Sequence, residues 1–266
     1  MTASFTQMFD ISGSSMLVNM LQMDTVSHNL ANVNTIGYKA SRLNFQELFR
    51  EMTEEETVFY ENENTSLSYY ERSRMDGILP SSTQIALNPG DFHNSDRPLD
   101  LAISGEGFFG IQLKDGGIGY TRNGEFSVDS ELNLVDTEGR YVVWDGEIPE
   151  GAKDFEVDRT GLMTVVSDGE RVGVGNIPVY RFINPSGLVS NGGNLFLESI
   201  TSGVAEEGVP NENEFGFIQS RVLEGSNVQL SLEMTNMVKL QRSFDLSVRA
   251  IQQSDQMLLQ AVRIRT

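Results

Sequence analysis

Apolar residues in the C-terminal part of the chain recur every seven positions. One row of this repeat consists of Leu230, Met237, Phe244, Ile251 and Leu258. A second row alternates apolar and polar residues, namely Met234, Gln241, Val248, Asp255 and Val262. Two such rows, sustained over about five heptads, are typical of a coiled-coil helix. Ser226 and Gln229 have the spacing of a capping box, so the pattern predicts a helix over residues 228–265.

The N-terminal segment carries the same repeat. Its first row is Phe9, Met16, Met23 and Leu30, and its second row is Gly13, Met20 and Ser27. Small residues in the second row permit close approach of another helix, and methionine adapts to imperfect partners. Since no proline occurs before Pro80 or after Pro210, both ends can form long helices. We expect the terminal helices to pair as a coiled coil within one molecule. Whether their outer faces serve assembly is a separate question.

The first predicted helix ends in an unusual stretch, SHNLANVNTIGYKASRLNF, residues 27–45. Three asparagines, Asn29, Asn32 and Asn34, precede Gly37 within it. Glycine and asparagine accept the left-handed backbone found where helices end, so we expect a sharp turn with a positive φ at Gly37. A helix cap accounts for Gly37 and Asn34. Asn29 and Asn32 are the better candidates for contacts with a neighbouring molecule.

The middle of the chain predicts an antiparallel β domain rich in hairpins. Short alternating runs between residues 119 and 144 are interrupted at Asn123-Gly124, Asp129-Ser130 and Glu138-Gly139. An Asn-Gly pair between apolar runs is a strong hairpin signal. Just before these runs, the glycines of Gly105-Glu106-Gly107 indicate a strand with close approach of another backbone.

These patterns divide the chain into four parts. Residues 1–46 and 221–266 contain the two helices of a coiled-coil domain, and residues 77–220 form a β-rich domain. Residues 47–76 lie between the first helix and the β domain. They include six glutamates in residues 51–63, with no basic residue afterwards until Arg72. This segment predicts an acidic, extended connector with some strand potential at residues 67–70.

The formal charge of −19 is unevenly distributed. Residues 1–46 are neutral, residues 221–266 carry +2, and residues 47–220 carry −21. The acidic middle argues against nucleic acid as a partner, because such binding needs clustered basic residues. The nearly neutral ends can pack against copies of themselves with little repulsion. We also expect no membrane insertion and no cleaved signal peptide, since neither pattern occurs in the sequence.

The residues offer little for catalysis or metal binding. The chain has no cysteine, and its two histidines, His28 and His93, have no second histidine at ligand spacing. We therefore predict neither a metal site nor a cofactor. Carboxylate pairs such as Asp129 with Glu131 are expected at turns in a chain with 38 acidic residues. The alternating acidic run in residues 154–158 could recruit calcium, although a solvated face is the simpler interpretation.

Four blocks, in order along the chain, carry a family resemblance. They are SHNLANVNTIGYKASRLNF, RPLDLAISGEGFFGIQ, YTRNGEFSVDSELNLV and LEGSNVQLSLEMTNMVKLQRSFDLSVRAIQQSDQML. In that order they resemble the N-terminal signature, two β blocks and the C-terminal helix of the bacterial flagellar axial proteins, the family of rod and hook subunits. FINPSGLVSNGGNLF resembles the stretch before that helix. The glutamate-rich connector and the opening TASFTQMF depart from the family pattern.

The resemblance implies a non-enzymatic structural subunit that needs no cofactor. In such proteins the terminal helices pair in an inner tube, the β domain forms an outer layer, and subunits polymerise helically into a hollow drive shaft that transmits torque from motor to hook. The implied partners are further copies of the chain, neighbouring flagellar rod and hook proteins, the surrounding P/L ring bushing and the flagellar type III export apparatus. The implied location is the basal-body rod spanning the periplasm.

Subunit contacts are then expected at the apolar members of the heptad rows and at the Asn-rich turn. The first set is Phe9, Met16, Met20, Met23, Leu30, Leu230, Met234, Met237, Phe244, Val248, Ile251, Leu258 and Val262. The second set is Asn29, Asn32, Asn34 and Gly37.

Several alternatives remain open. Compact length and the absence of a large inserted domain favour the rod branches over hook subunits. The distal-rod branch is the closest fit, but the segment VLEGSNV also fits the proximal-rod branch. From the residues alone, a secreted glycan-cleaving enzyme with paired carboxylates and a secreted glycan-binding module on a helical stalk are the rival classes.

Overall fold

A computed structural model of the chain describes residues 2–50, 74–167, 170–212 and 215–265. Side chains are described for residues 11–46, 81–152, 154–166, 170–212, 215–257 and 259–260. The described chain is mainly β, with one long helix near each end. The prediction of a mainly β chain with terminal helices is confirmed.

The chain divides into two compact units. The helical unit consists of Met1–His28, Arg42–Thr83 and Ser231–Thr266. The β unit consists of Asn29–Ser41 and Gln84–Leu230. Residues 29–41 of the Asn-rich stretch that ends the first helix therefore belong to the β unit.

Two helices dominate the helical unit: α1, Thr2–Ala31, and α2, Leu230–Arg265. They contact each other, and the Oγ atoms of Ser15 and Ser247 are 3.5 Å apart. α2 begins two residues later than the heptad pattern predicts. In place of the expected capping box, Ser226 Oγ accepts a hydrogen bond from the N–H of Val228 at 3.3 Å.

Strand β1, Ser41–Arg50, pairs with β2, Arg74–Ile85, in a two-stranded sheet. The predicted acidic connector overlaps the ends of these strands. Its residues 51–73, including the strand potential at residues 67–70, lie outside the described residues. The connector therefore stays a prediction.

Short antiparallel strands form the β unit. They are β3 Phe92–Asn94, β4 Leu101–Ser104, β5 Phe109–Gln112, β6 Ile118–Thr121, β7 Ser127–Val128, β8 Leu134–Val135, β9 Asp145–Gly146, β10 Lys153–Val157, β11 Leu162–Ser167, β12 Glu170–Asn176, β13 Val179–Arg181, β14 Val189–Gly192, β15 Leu195–Leu197, β16 Glu206–Gly208, β17 Phe217–Ser220 and β18 Val222–Glu224. Two sheets have four strands, in the orders β14-β15-β6-β5 and β10-β11-β12-β9. The remaining strands pair as β17-β4, β18-β3, β13-β16 and β7-β8.

Two apolar clusters form the core of the β unit. In the larger cluster Phe109 and Phe126 are fully buried, with ring centroids 5.1 Å apart in an edge-to-face arrangement. In the smaller one the Tyr120 ring lies 4.8 Å from Phe182. Edge-to-face packing adds to the hydrophobic stabilisation of each cluster. Both clusters depend on long-range contacts, because the larger one joins Leu101 of β4 with Ile218 of β17 and the smaller one joins Tyr120 of β6 with Tyr180 of β13.

The hairpin predictions are only partly right. Asp129-Ser130 lies in the loop of the β7-β8 hairpin, and Gly139 closes a tight turn through its N–H to the Asp136 carbonyl. The hairpin predicted at Asn123-Gly124 is wrong, because β6 pairs with β5 and β15 rather than with β7. A Cβ at Gly124 would lie 1.8 Å from the Leu101 carbonyl oxygen, so this glycine serves a close tertiary approach instead.

Candidate functional site

Asn29 holds the chain immediately after α1 in a fixed conformation. Its side chain is 2% exposed, and its Oδ1 accepts hydrogen bonds from the Ser41 N–H and the Tyr38 hydroxyl, at 3.0 and 3.1 Å. Its Nδ2 donates to the Ser41 carbonyl at 3.0 Å. The amide thus pairs with Ser41 as a β-strand neighbour would. These hydrogen bonds support a turn role for Asn29, and the interface role expected for it stays a prediction.

The other two asparagines follow the last helical residue. Asn32 Oδ1 accepts a hydrogen bond from Thr35 Oγ1 at 3.1 Å, and the Asn32 carbonyl accepts one from the Thr35 N–H. This is a local turn of the kind that asparagine favours. Asn34 is exposed at the surface. The interface role expected for Asn32 and Asn34 stays a prediction.

Gly37 has a φ of +68°, so the positive φ predicted from sequence is confirmed. Its N–H donates to the carbonyl of Glu224 at 2.7 Å. A Cβ at this position would lie 2.4 Å from the backbone nitrogen of Asn123. Gly37 is therefore more than a helix cap, because the backbone of this turn lies directly against two other segments of the β unit.

Two residues beyond Gly37, a buried ion pair joins distant parts of the β unit. Lys39 Nζ lies 2.5 Å from Oε1 of Glu224, and both side chains are completely buried. The same ammonium donates to the Asn88 carbonyl at 3.0 Å, and Glu224 Oε1 also accepts from the Gly90 N–H. Each charged group thus has further hydrogen-bonding partners, which a buried ion pair requires to be tolerated.

Arg122 is a second buried cation beside this pair. Its Nη1 lies 3.4 Å from Glu224 Oε2, and the guanidinium donates to the carbonyls of Ile103 and Gly105 at 3.1 and 2.8 Å. It also lies over the Phe108 ring, 5.2 Å from its centroid, within cation–π range. One buried carboxylate therefore compensates two buried cations.

Burial dominates the electrostatics of this cluster. Loss of solvation lowers the pKa of the Lys39 ammonium below its usual value, and the Glu224 carboxylate opposes this shift. Loss of solvation lowers the pKa of Arg122 as well, against the opposing effect of Glu224 and Glu106. The cluster accordingly depends on the charge of Glu224.

Asn227 completes the connection between the two chain segments. Its Oδ1 accepts from the Ala40 N–H at 2.8 Å, and its Nδ2 donates to the carbonyls of Ala86 and Asn88 at 2.7 and 2.9 Å. The Ala86 N–H in turn donates to the Ala40 carbonyl at 2.8 Å. The segment after α1 and the segment before α2 are therefore joined side by side within the β unit. We call Lys39, Glu224, Arg122 and Asn227 the buried clamp.

No pattern in the sequence singles out the buried clamp. Lys39 and Glu224 both lie in stretches that carry the family resemblance, and this position is the signal that could have identified them. A lysine inside a turn motif and a glutamate just before a helix are ordinary surface residues by type, so only their places in the motifs mark them.

The predicted heptad residues occupy different environments. Met16, Met23, Leu30, Met237, Phe244, Val248 and Ile251 are half-buried. Met20, Leu230 and Met234 are exposed, at 54%, 49% and 55%. The side chains of Phe9, Leu258 and Val262 lie outside the described residues. Their assignment to subunit contacts stays a prediction.

Other residues of the helices are buried although the repeat did not mark them. Val18, Asn19 and Val26 of α1 and Ser254 of α2 are less than 9% exposed. Seven residues of a straight helix fall about 20° short of two full turns, so rows chosen at seven-residue spacing drift around its surface.

Backbone contacts engage a carboxylate of the pairs noted in the sequence. Asp129 Oδ1 accepts from the N–H groups of Glu131 and Asn133, which lowers the pKa of this carboxyl. These carboxylates therefore shape turns. No cluster of three potential metal ligands occurs among the described residues, and neither described helix is long and apolar enough to cross a membrane.

Three family models match separate parts of the chain. Residues 12–39, which include the last two thirds of α1 and the Asn-rich turn, match the flagella basal body rod protein model. Residues 102–165 match the flagellar hook protein FlgE/F/G D1 domain. Residues 219–264, which include Glu224, Asn227 and α2, match the C-terminal model of the flagellar basal body rod FlgEFG proteins.

Similarity to individual proteins extends over most of the chain. The flagellar basal-body rod protein FlgG of Buchnera aphidicola subsp. Acyrthosiphon pisum is 35% identical over 93% of this chain and 95% of the relative. The proteins of the same name from Borreliella burgdorferi and Caulobacter vibrioides are 35% and 34% identical, over 92% and 95% of this chain and 93% and 97% of the relatives. With its helices, its turn and its β unit all matched, the chain belongs to the flagellar basal-body rod protein family.

Proposed function

We propose that this chain is a subunit that polymerises helically into a hollow rod and transmits torque along it. Membership of the rod protein family supports a structural role in the flagellar basal body. The observation that carries the polymerisation proposal is the apolar surface left exposed on the helices. Such surface on a subunit of a structural family is suited to contacts with further copies.

On α2 this surface covers two sides of the helix. Helical periodicity groups the exposed residues as Leu232, Leu246 and Met257 on one side and Leu230, Met234 and Val238 on another. Their exposed fractions range from 44% to 65%. Since α2 also contacts α1, two additional apolar sides are suited to helices of neighbouring subunits.

α1 contributes a similar exposed side. Leu17 and Met20, three positions apart, are 50% and 54% exposed and share one side of the helix. The net charge near zero at both chain ends favours this packing, because copies of the helices repel one another little. We therefore propose that the terminal helices form coiled coils in the inner part of the polymer.

Polymer growth requires a head-to-tail contact. When one surface of a subunit binds a different surface of the next and the rotation does not close a ring, the product is an open helical filament. We propose this type of contact for the rod. In this proposal the β unit forms the outer layer of the rod. The buried clamp suits a mechanical role, because two segments that are far apart in the sequence and are joined by a buried ion pair and an amide resist separation.

The finer assignment and the partners are also part of this proposal. The distal-rod branch is favoured, with the proximal-rod branch and hook-type subunits as alternatives. The proposed partners are other copies, neighbouring rod and hook proteins, the P/L ring bushing and the type III export apparatus. We propose a location in the rod across the periplasm and export without a cleaved signal peptide.

Labelled basal bodies test this function. The chain has no cysteine, so Asp115→Cys, in the exposed loop between β5 and β6, provides a single labelling site. The variant should restore motility to a deletion strain, and gold label should decorate the rod of purified basal bodies. Label confined to another structure, or full motility of the deletion strain, would contradict the proposal. Peptidoglycan cleavage by the purified protein would favour the rival enzyme class.

A further inference from the structure

Three aliphatic side chains of the β unit are unusually exposed. Among the large apolar side chains that the structure describes, Ile200, Ile183 and Val204 are the most exposed, at 105%, 93% and 79%. The next in order, Leu246 of α2, is 65% exposed. We call Ile183, Ile200 and Val204 the aliphatic patch.

Hydrogen bonds join the two loops that carry the aliphatic patch. Asn184 donates from Nδ2 to the Thr201 carbonyl at 3.1 Å and from its backbone N–H to the Ser202 carbonyl at 3.3 Å. Ser199 Oγ donates to the Gly187 carbonyl at 2.6 Å. Ile183 and Ile200 each adjoin one of these bonded residues. They therefore belong to one surface with a fixed backbone.

The underlying side chains keep this surface in place. Phe182 is buried in the smaller core cluster, with its ring 5.8 Å from Phe108 and 4.8 Å from Tyr120. Ser202 is 1% exposed, and its Oγ accepts from the Ser199 N–H at 2.8 Å. The exposure of the aliphatic patch is thus a property of an ordered loop pair.

The patch is also free of charge on a strongly acidic chain. Residues 182–205 contain one charged residue, Glu198. Its carboxylate accepts hydrogen bonds from the Tyr120 hydroxyl at 2.5 Å and from the Ala205 N–H at 3.2 Å. Residues 47–220 carry −21, so two copies repel each other wherever their acidic surfaces meet. An uncharged aliphatic surface is where the β units of two copies can approach closely.

We propose that the aliphatic patch is a contact between β units of neighbouring copies of this chain. The proposal rests on the proposed polymerisation and adds a contact in the outer layer. Three side chains bury far less than the roughly 1,200 Å² of a stable interface, so this contact forms only where other surfaces already hold the copies together. In a polymer, the same small contact is repeated at every subunit.

Photo-crosslinking tests the contact directly. Ile200→Cys provides a single cysteine for benzophenone maleimide, and Val172→Cys on β12, 45% exposed, is the matched control. In the polymer, label at position 200 should yield covalent dimers of the chain, and label at position 172 should yield far fewer. Dilute monomer should yield none at either position. In basal bodies, crosslinks from position 200 only to a different protein would overturn the proposal, as would equal yields at both positions.

Paired substitutions provide a second measurement. Ile183→Ser with Ile200→Ser should raise the concentration needed for polymerisation about tenfold while leaving the melting of the monomer unchanged. Leu162→Ser with Val172→Ser, at aliphatic positions that are 44% and 45% exposed, should leave the polymerisation threshold unchanged. An unchanged polymerisation threshold in the first variant would overturn the contact. If the unsubstituted protein forms no polymer at all, both the proposed function and this contact are wrong. If it forms polymers in which position 200 gives no crosslink between copies, only the contact is wrong.

Discussion

Lys39 and Glu224 lie 185 positions apart in the sequence and meet in a fully buried ion pair. Lys39 follows the turn at the end of α1, and Glu224 ends β18 shortly before α2. Gly37 and Asn227 add backbone and amide contacts at the same place. The pair thus fixes the register between the segment that follows α1 and the segment that precedes α2. A buried ion pair suits this purpose, because a shifted pairing would leave a charge unpaired.

The first prediction concerns the anion of the buried clamp. Glu224→Gln leaves Lys39 and Arg122 facing each other without a compensating charge, so the free energy of unfolding should fall by about 3–5 kcal/mol. Lys39→Met should cost less, because Glu224 keeps its contacts with Arg122 and Gly90. Urea unfolding of both variants measures the difference. A larger loss for Lys39→Met would show that the carboxylate is not the central charge.

The second prediction separates backbone strain from close packing at Gly37. Gly37→Ala and Gly116→Ala both place a side chain at a positive φ, which costs about 1–2 kcal/mol each. A Cβ at Gly116 meets nothing within 4 Å, whereas one at Gly37 meets the Asn123 backbone at 2.4 Å. Gly37→Ala should therefore lower the free energy of unfolding by about 1–3 kcal/mol more than Gly116→Ala does. Equal losses in thermal or urea unfolding would mean that the turn does not depend on this contact.

The third prediction distinguishes the asparagines of the turn. Asn29→Ala leaves both backbone groups of Ser41 without their partner, so it should cost at least about 2 kcal/mol of unfolding free energy. Asn34→Ala, at an exposed position, should stay within about 0.5 kcal/mol of the unsubstituted protein. Urea unfolding of the two variants provides the comparison. A tolerated Asn29→Ala would contradict the turn role.

The fourth prediction concerns alkaline pH. Burial raises the pKa of Tyr180 to about 12, and the Glu207 carboxylate adds to the shift. In the unfolded chain this phenol ionises near its ordinary value of 10.0, so above that pH the unfolded state loses a proton that the folded state keeps. The free energy of unfolding should therefore fall as pH rises from about 10 towards about 12.

Tyr180→Phe should make this decline shallower. Burial and the hydrogen bond to Glu198 also raise the pKa of Tyr120, so a Tyr120→Phe/Tyr180→Phe variant should flatten the decline further. Urea unfolding at about pH 9 and about pH 11 tests this ordering. Identical declines in Tyr180→Phe and the unsubstituted protein would contradict it.

Local signals predicted some parts of the structure well. The seven-residue rows predicted α2 to within two residues at its start, since a long helix repeats its environment many times. Gly37 was predicted to have a positive φ because its position after a helix, among asparagines, calls for one.

Long-range contacts account for what the sequence could not predict. Asn123-Gly124 has the local chemistry of a hairpin, yet Gly124 lies against Leu101, and that contact overrides the local preference. The ion pair of Lys39 with Glu224 depends on which of 38 acidic residues meets the lysine, and no local pattern specifies this. The heptad rows likewise could not show which sides of the helices stay exposed, because that depends on where α1 contacts α2.

The fifth prediction concerns the proposed assembly through the helices. Met234 is half exposed, so Met234→Glu should leave the unfolding of the monomer within about 0.5 kcal/mol of the unsubstituted protein. It should nevertheless block polymerisation, because a charge would be buried without a partner at each subunit contact. Gln112→Glu adds the same charge at an exposed position at the end of β5, outside the proposed contact surfaces, and it should polymerise normally.

Electron microscopy of the three concentrated proteins, with sedimentation to quantify polymer, is the most direct test of the central claim. Tubes are expected for the unsubstituted protein and for Gln112→Glu, and soluble monomer is expected for Met234→Glu. Tubes formed equally well by Met234→Glu would contradict assembly through the exposed side of α2, and the absence of tubes from the unsubstituted protein would contradict self-polymerisation itself.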